Sequence, residues 1–374
     1  RFANAAETAA ALLSALRAAS SAMDDNHPAL VLLESLSRGR LVGRAHELAE
    51  VRELWRRALD RRGHCVLISG EPGAGKTRLA REILIQAALD GATVLTGSCY
   101  EYEATTPYLP FVEAFRRWVR EESDDTALRA KLGDYAPQIA RLAPELDTRL
   151  GPFPDRPALP PHEERLLFLD AVEQVLREAS RAGGLLVYVD DLQWADGSTL
   201  WLLSHLLRNL REEMIFIVAS YREVELDRAH PLGKALVEWN RERLTTRIAL
   251  RRFTSDETRA QLGALLGEEV SVEFAAAIHR ETEGNPFFVE EVLKSLIEEG
   301  SVRRERGQWA RNEIRDLSIP QSVKAAIGCR LDRVSQECNE VLRAAAVLGK
   351  VFEFERLVIA AGDRGEDALV DALD

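Results

Sequence analysis

The chain has 374 residues, of which 46% are hydrophobic and 29% charged, a composition typical of a globular protein with a sizeable core. Its net charge of -12 argues against a dedicated nucleic-acid surface within these residues, because phosphate binding needs a local excess of Lys and Arg. No window approaches 18 consecutive apolar residues, so the sequence predicts no membrane partner.

The first 38 residues contain two amphipathic patterns, at 3–19 and about 28–37, which predict short helices. We interpret residues 1–38 as a helical segment that ends an upstream domain. The chain begins at Arg1 rather than Met and ends at Asp374 within a helical pattern. We therefore expect it to be part of a longer polypeptide.

Residues 39–253 alternate between apolar strand patterns and helical patterns, which indicates a parallel α/β sheet covered on both faces. Strands are predicted at 65–69, 92–97, 184–191, 215–222 and 246–250. Beyond residue 254 the strand signals stop and mostly short helices are predicted, the first with Ser255 as its N-cap. A second boundary is expected near Leu317–Pro320.

The cysteines show neither a CxxC pair nor a histidine at zinc-ligand spacing. They are Cys65, Cys99, Cys329 and Cys338. We interpret them as buried or incidental thiols in a reducing compartment, and we expect a cytoplasmic protein.

The segment GEPGAGKT fits the phosphate-loop pattern G-x-x-x-x-G-K-[ST] and lies between a predicted strand and a predicted helix. Its glycines let backbone N–H groups surround phosphate oxygens, and the helix offers its positive end to the same oxygens. We expect Lys76 to bridge the β- and γ-phosphates and the Thr77 hydroxyl to bind Mg²⁺. The predicted nucleotide-binding residues here are Gly70, Gly73, Ala74, Gly75, Lys76, Thr77 and Arg78.

Two adjacent carboxylates, Asp190 and Asp191, follow the apolar run LLVYV. Asp190 is placed to bind the Mg²⁺ of a phosphate-loop site, and Asp191 to polarise an attacking water. The bound cation supplies the positive charge that makes the pair tolerable. Two alternatives stay open: one acid caps the following segment, or Asp191 has no catalytic part.

Arg222 ends the fourth predicted strand, which in sheets of this topology lies between the phosphate-loop strand and the acid strand. An arginine there is aimed at the γ-phosphate, where it can stabilise transition-state charge or sense the nucleotide. The alternative is a surface arginine paired with Glu223 or Glu225.

Four further motifs accompany the phosphate loop, and a characteristic helical segment follows them. The motifs are LVGRAHEL (41–48), VDDLQWAD (189–196), SYR (220–222) and EGNPFFVEEVL (283–293), followed by IPQSVKAAIGCRLDRVSQECNEVLRAAAVLGKVF (319–352). Over roughly residues 39–374 the chain resembles the STAND class of AAA-related P-loop signal-transduction ATPases. It is most similar to the bacterial branch of MalT-like and large LuxR-type transcriptional regulators and cyclase-fused ATPase modules.

The resemblance implies roles for residues whose chemistry alone does not assign them. Val42, Gly43 and Arg44 would lie along the adenine and ribose, and Pro286 would touch the adenine. Arg222 would be the sensor arginine. No physical role follows for Trp194, although its motif is the most distinctive part of the match.

The fold that the resemblance implies is an α/β P-loop core with a five-stranded parallel sheet at 39–253. An all-α helical lid at 254–316 and a truncated winged-helix-like segment at 317–374 would follow. The implied activity is slow, regulatory hydrolysis of ATP to ADP and phosphate with Mg²⁺.

The implied function is a nucleotide switch that ADP holds closed and ATP opens for self-association. An inducer or protein partner would act through missing domains, and DNA only through a domain outside this segment. The alternatives are a AAA+ remodelling or DNA-loading ATPase with sustained turnover, a nucleotide-binding scaffold with little hydrolysis, and, least favoured, a small-molecule kinase.

Overall fold

The computed structural model describes residues 41–101, 106–153, 160–226, 230–298, 301–305, 308–311, 336–348, 354–360 and 362. The predicted helices at 3–19 and 28–37, Cys329 and much of the predicted winged-helix segment lie outside these residues. The chain divides into two compact units, Arg1–Phe287 and Phe288–Asp374. The boundaries predicted near 253 and 317 remain predictions. None of the described helices is both long and apolar enough to cross a membrane.

A five-stranded parallel sheet forms the centre of the first unit, as the sequence predicts, in the order β2-β3-β4-β1-β5. Its strands are β1 (His64–Gly70), β2 (Thr93–Ser98), β3 (Leu185–Asp190), β4 (Ile215–Tyr221) and β5 (Thr245–Leu250). The predicted place of β4 between β1 and β3 is confirmed. The carboxyl ends of these three neighbouring parallel strands therefore meet at one edge, where ligands of open α/β sheets bind.

Helices connect the strands and cover both faces of the sheet. Up to residue 298 they are α1 (Ala45–Leu59), α2 (Lys76–Leu89), α3 (Leu109–Glu121), α4 (Asp125–Leu132), α5 (Ala136–Ile139), α6 (Glu145–Leu150), α7 (Pro161–Ser180), α8 (Gly197–Asn209), α9 (Pro231–Arg241), α10 (Ser255–Leu266), α11 (Val272–Thr282) and α12 (Pro286–Glu298). Short 3₁₀ turns follow β3 and β4, at Leu192–Trp194 and Glu223–Glu225.

Apolar residues alternate between the two faces of the sheet, so that each face is buried against a different set of helices. Val66, Leu186 and Phe216 belong to the core formed with α1 and α2. Leu67 and Ile217, their neighbours along the strands, belong to the core formed with α3, α7 and α8. Burial on both faces fixes the register and so the position of every residue at the carboxyl edge.

The N-cap of α10 differs from the prediction: it is Thr254, not Ser255. The Thr254 side chain accepts a hydrogen bond from the Glu257 backbone N–H, and the Glu257 carboxylate accepts one from the Thr254 backbone N–H. This reciprocal capping box requires a spacing of three residues to the glutamate, which Thr254 has and Ser255 lacks.

The second unit contains an antiparallel hairpin of β6 (Val302–Glu305) and β7 (Gln308–Arg311). The expectation that strands stop at residue 254 is therefore wrong for this part of the lid segment. Three of the four residues of β6 are charged, so the strand is too short and too polar to show an apolar alternation. Helices α13 (Gln336–Leu348) and α14 (Phe354–Ala360) pack through Val341 and Leu357.

Replacing Thr254 by Ala should lower the free energy of unfolding by about 1 kcal/mol, because the Glu257 N–H then loses its capping acceptor. The control Ser255→Ala changes an exposed residue one position later and should cost less than about 0.5 kcal/mol. Urea unfolding followed by circular dichroism measures both losses. Equal losses would contradict the assignment of Thr254 as the N-cap.

Candidate active site

The loop between β1 and α2 has the backbone geometry of a phosphate cradle. Gly73 and Gly75 have φ of +82° and +94°, a left-handed region that glycine enters without steric cost. Gly75 directly precedes α2, whose first two residues are Lys76 and Thr77. The positive end of that helix therefore faces the loop, as an anion site requires.

Lys76 is buried within this loop, with 7% of the residue's surface exposed. Its Nζ donates hydrogen bonds to the carbonyl oxygens of Gly70 (3.0 Å) and Glu71 (3.1 Å). These bonds hold the ammonium at the centre of the loop, where the predicted phosphates would lie.

The predicted charged site residues act on Lys76 from the ends of β3 and β4. Burial, and after it the nearby Arg222 guanidinium, lower the pKa of Lys76, whereas three carboxylates act in the opposite direction. Those carboxylates belong to Asp191, Asp190 and Glu225. The fold thus brings the predicted lysine, both acids and the arginine into one electrostatic neighbourhood.

Thr77 and Asp190, the two predicted metal ligands, are in contact. The Thr77 hydroxyl donates a hydrogen bond to Asp190 Oδ2 at 3.2 Å. A hydroxyl and a carboxylate are the hard oxygen donors that suit Mg²⁺, which keeps water and substrate phosphates as its other ligands. Within the described ranges no group of three or more His, Cys, Asp or Glu could hold a metal ion, so a metal here would depend on those further oxygens.

Two hydroxyl residues near Asp190 have no role in the sequence prediction. Ser220, fully buried at the end of β4, donates to Asp190 Oδ1, which also accepts the Asp191 backbone N–H at 3.1 Å. Tyr188 lies two residues before Asp190 in β3, and burial together with that carboxylate raises its pKa. A hydroxyl inside a mostly apolar strand is the signal that points to both residues.

Asp191 and Arg222 form a pair, with Arg222 Nε 3.4 Å from Asp191 Oδ1. Arg222 Nη1 also donates to Glu225 Oε1 at 2.8 Å, so the alternative partner of the sequence analysis is present as well. Glu223 pairs instead with Arg247. The arginine thus contacts Glu225, one of the two partners that the sequence offered as the alternative, and also Asp191, a contact that the sequence analysis did not predict.

The Gln-Trp pair after the acids joins Asp191 to Arg222. Gln193 Nε2 donates to Asp191 Oδ1 at 2.9 Å, and Gln193 Oε1 accepts the Arg222 backbone N–H at 3.1 Å. The Arg222 guanidinium carbon lies 4.6 Å from the centre of the Trp194 ring. Asp196, the last acid of the motif, caps α8 through the N–H groups of residues 198 and 199.

Arg44 is almost fully buried, with 2% of its side chain exposed, and its guanidinium contacts protein atoms. Nη2 donates to the Ala74 carbonyl at 3.1 Å and to the Arg251 carbonyl, and the guanidinium carbon lies 4.7 Å from the centre of the Phe253 ring. Gly43 has φ of +69°, and a Cβ there would lie 2.8 Å from the same ring. Arg44 thus connects the phosphate loop to the segment after β5.

Val42 and Gly43 line a cavity of about 940 Å³ beside α10. Arg259 and Gly263 of α10 lie on its other side. The structure therefore places the first two residues of the predicted adenine and ribose contact at a cavity, and the third, Arg44, among backbone carbonyls. The last predicted loop residue, Arg78, lies on α2 and pairs with Glu82 at 3.4 Å.

The Gly-Asn-Pro segment at the start of α12 contacts the phosphate loop. Asn285, 4% exposed, donates from Nδ2 to the Pro72 carbonyl at 3.0 Å, and the Phe287 N–H donates to the Gly73 carbonyl at 3.3 Å. A Cβ on Gly73 would lie 2.5 Å from Asn285 Oδ1, so the close approach requires glycine. Pro286 is half-buried, and its carbonyl accepts a hydrogen bond from the side chain of residue 261.

Residues 40–218 match the family model described as AAA ATPase domain, and residues 254–309 match a domain of unknown function (DUF8739). The chain is 27% identical over 355 residues to an uncharacterised protein of Rhizobium meliloti (strain 1021). That alignment covers 90% of this chain and 32% of the other protein. The chain therefore spans about a third of the length of the curated relative it matches.

Similar solved structures include Drosophila ORC bound to DNA, at a TM-score of 0.45 and 13% identity over 91% of this chain and 79% of that chain. Another is a mutant of Thermotoga maritima RuvB, at a TM-score of 0.37 and 13% identity over 88% of each chain. Residues 40–218 are therefore similar to AAA ATPase domains, and the loop and most of the acids described above lie within the matched range.

Replacing Arg44 by Ala should destabilise the nucleotide-free protein by about 1–3 kcal/mol, because two carbonyls lose their donor. The control Arg56→Ala removes a 67%-exposed arginine of α1 and should cost less than about 0.5 kcal/mol. Chemical unfolding without nucleotide compares the two. If Arg44→Ala weakened nucleotide binding but left this stability unchanged, Arg44 would be a nucleotide contact rather than a structural support.

Proposed function

We propose that the chain is an ATP- and ADP-binding signal-transduction ATPase module that works as a slow nucleotide-dependent switch in a bacterial transcriptional regulator. The observation that carries the switch is the contact of the Gly-Asn-Pro segment with the phosphate loop, through Asn285 and the Phe287 N–H. A nucleotide that reshapes the loop carbonyls would change these bonds directly. The regulator context rests on the resemblance of the motifs alone.

In the proposed reaction Lys76 and the loop N–H groups bind the β- and γ-phosphates. Thr77 and Asp190 would hold Mg²⁺, which when bound neutralises charge on the phosphates. Asp191 accepts a proton from the attacking water, and Arg222 stabilises charge on the γ-phosphate. These assignments are supported by the convergence of the four charged groups on Lys76.

The switch needs a difference in affinity, since a ligand shifts an equilibrium only as far as it binds the two states differently. ADP would favour the state in which Asn285 is bonded to the loop, and ATP a state open to self-association. An inducer or protein partner, and DNA, would act through domains outside this segment. The natural source of the difference is the γ-phosphate, which only ATP brings to Arg222.

The variant Asp191→Asn should slow single-turnover ATP hydrolysis by at least about 100-fold while leaving ATP affinity within a few-fold. Asp191 has φ of +52°, and asparagine tolerates this left-handed conformation, so the backbone turn should persist. The control Asp170→Asn changes an exposed acid of α7 and should hydrolyse ATP at the wild-type rate. Equal rates for the two variants would remove Asp191 from catalysis.

The molar mass measured by light scattering should be higher with ATP than with ADP. The measurement uses the Asp191→Asn variant so that ATP is not hydrolysed during it. Adding Asn285→Ala removes one bond to the loop and should raise the self-associated fraction in ADP by about 2- to 10-fold. Asn240→Ala, an exposed change on α9, is the control and should behave as Asp191→Asn alone. Identical scattering with ATP and ADP would contradict the switch, and rapid sustained turnover would favour a remodelling ATPase.

A further inference from the structure

We propose that Gln193 and Trp194 are positioning residues that hold Asp191 and Arg222 as one unit, Gln193 by orienting the carboxylate and Trp194 by supporting the guanidinium. The inference rests on the proposed ATPase function and extends it to residues that neither bind phosphate nor carry a proton. The resulting unit joins the turn after β3 to the end of β4.

Gln193 has its amide fixed by two different partners. The residue is 3% exposed, its Nε2 donates to Asp191 Oδ1, and its Oε1 accepts the Arg222 N–H. A flipped amide would place an oxygen against the carboxylate and an NH₂ group against the N–H, so only one orientation satisfies both. A buried polar group with both ends satisfied makes a local geometry unique.

The consequence for Asp191 is an asymmetric carboxylate. Both Gln193 Nε2 (2.9 Å) and Arg222 Nε (3.4 Å) approach Oδ1. Within the part of the chain that the structure describes, Oδ2 takes no hydrogen bond, and it is the oxygen left to accept a proton from water. The backbone of Asp191 is left-handed, and its N–H donates to the Ser220 hydroxyl at 3.0 Å. The main chain that carries the carboxylate is therefore fixed as well.

The consequence for Arg222 is that contacts with protein groups alone hold its guanidinium beside the phosphate loop. Its guanidinium lies over the Trp194 ring, an attractive cation–π arrangement, and contacts Asp191 and Glu225 at its edge. An arriving γ-phosphate competes with the two carboxylates for the edge of the guanidinium, while its face can stay on the ring. Trp194 therefore allows Arg222 to exchange partners without leaving the site.

An arriving γ-phosphate would also change the contacts of Asp191. If the guanidinium moved onto the γ-phosphate, Gln193 Nε2 would be the remaining side-chain donor to Asp191 Oδ1.

Single-turnover hydrolysis and ATP affinity of Gln193 variants test the first half of the proposal. Gln193→Glu keeps the size and the acceptor for the Arg222 N–H but removes the donor to Asp191, and Gln193→Leu removes both. Each should lower the hydrolysis rate by about 10- to 100-fold with ATP affinity within about 3-fold. The matched control is Gln86→Leu, which removes an amide donor to the Asp90 carboxylate (2.9 Å) on α2.

Trp194 variants test the second half through binding, which does not require turnover. Trp194→Leu should lower the ratio of ATP to ADP affinity by about 5-fold, and Trp194→Phe, which keeps a ring, should retain most of it. The control Trp201→Leu removes a similar stacked pair, in which the guanidinium carbon of Arg165 lies 3.9 Å from the ring centre. It should leave the ratio unchanged.

The outcomes separate this proposal from the proposed function. The proposal would be overturned if Gln193→Leu hydrolysed ATP as fast as Gln86→Leu. It would also be overturned if Trp194→Leu had the same ratio of ATP to ADP affinity as Trp201→Leu. A large loss of ATP affinity in the Gln193 variants would also overturn it, because it would show a binding or folding defect rather than positioning. A wild-type protein that binds ATP without hydrolysing it would contradict the ATPase, while the affinity ratio of the Trp194 variants would still decide the arginine half.

Discussion

The carboxylate of Asp190 is the point at which the ends of three neighbouring strands are joined. One oxygen accepts the hydroxyl of Thr77, which follows β1, and the other accepts the hydroxyl of Ser220 on β4 and the N–H of Asp191. This network is possible only because β4 lies between β1 and β3 in a parallel sheet with a fixed register. The order of the strands is therefore a precondition of the candidate site, because moving one strand would separate Asp190 from Thr77 and Ser220.

The basic side chains in and beside the phosphate loop are bonded to neighbouring protein groups. Lys76 donates to loop carbonyls, Arg44 donates to the carbonyls of Ala74 and Arg251, and Arg222 contacts two acids and an aromatic ring. Buried charges are tolerated when such partners exist. The loop carbonyls of Gly70, Glu71 and Ala74 are thus fixed by these two side chains, and such preorganisation is what electrostatic catalysis requires.

The features of the site that the sequence predicts are those formed by residues close together along the chain. Lys76 and Thr77 are identified by spacing within eight residues, and the parallel sheet by alternating patterns, so both were accessible. The contacts of Asn285 with the loop and of Arg44 with Arg251 join residues about two hundred positions apart, and no local pattern encodes them. The N-cap of α10 was misplaced by one residue because a serine beside a threonine offers an equally good capping oxygen, and only the distance to Glu257 separates them.

The contact of Asn285 with the phosphate loop has one more consequence. It is made to a main-chain carbonyl, that of Pro72, and its neighbouring bond ends on the carbonyl of Gly73. These two hydrogen bonds therefore depend on the path of the loop backbone and not on the identity of the loop's side chains. Sequence drift at Glu71 or Pro72 can leave this connection intact, whereas a Cβ on Gly73 would clash with Asn285 Oδ1. Gly73 thus belongs to the phosphate loop and at the same time provides the space that Asn285 and Phe287 occupy.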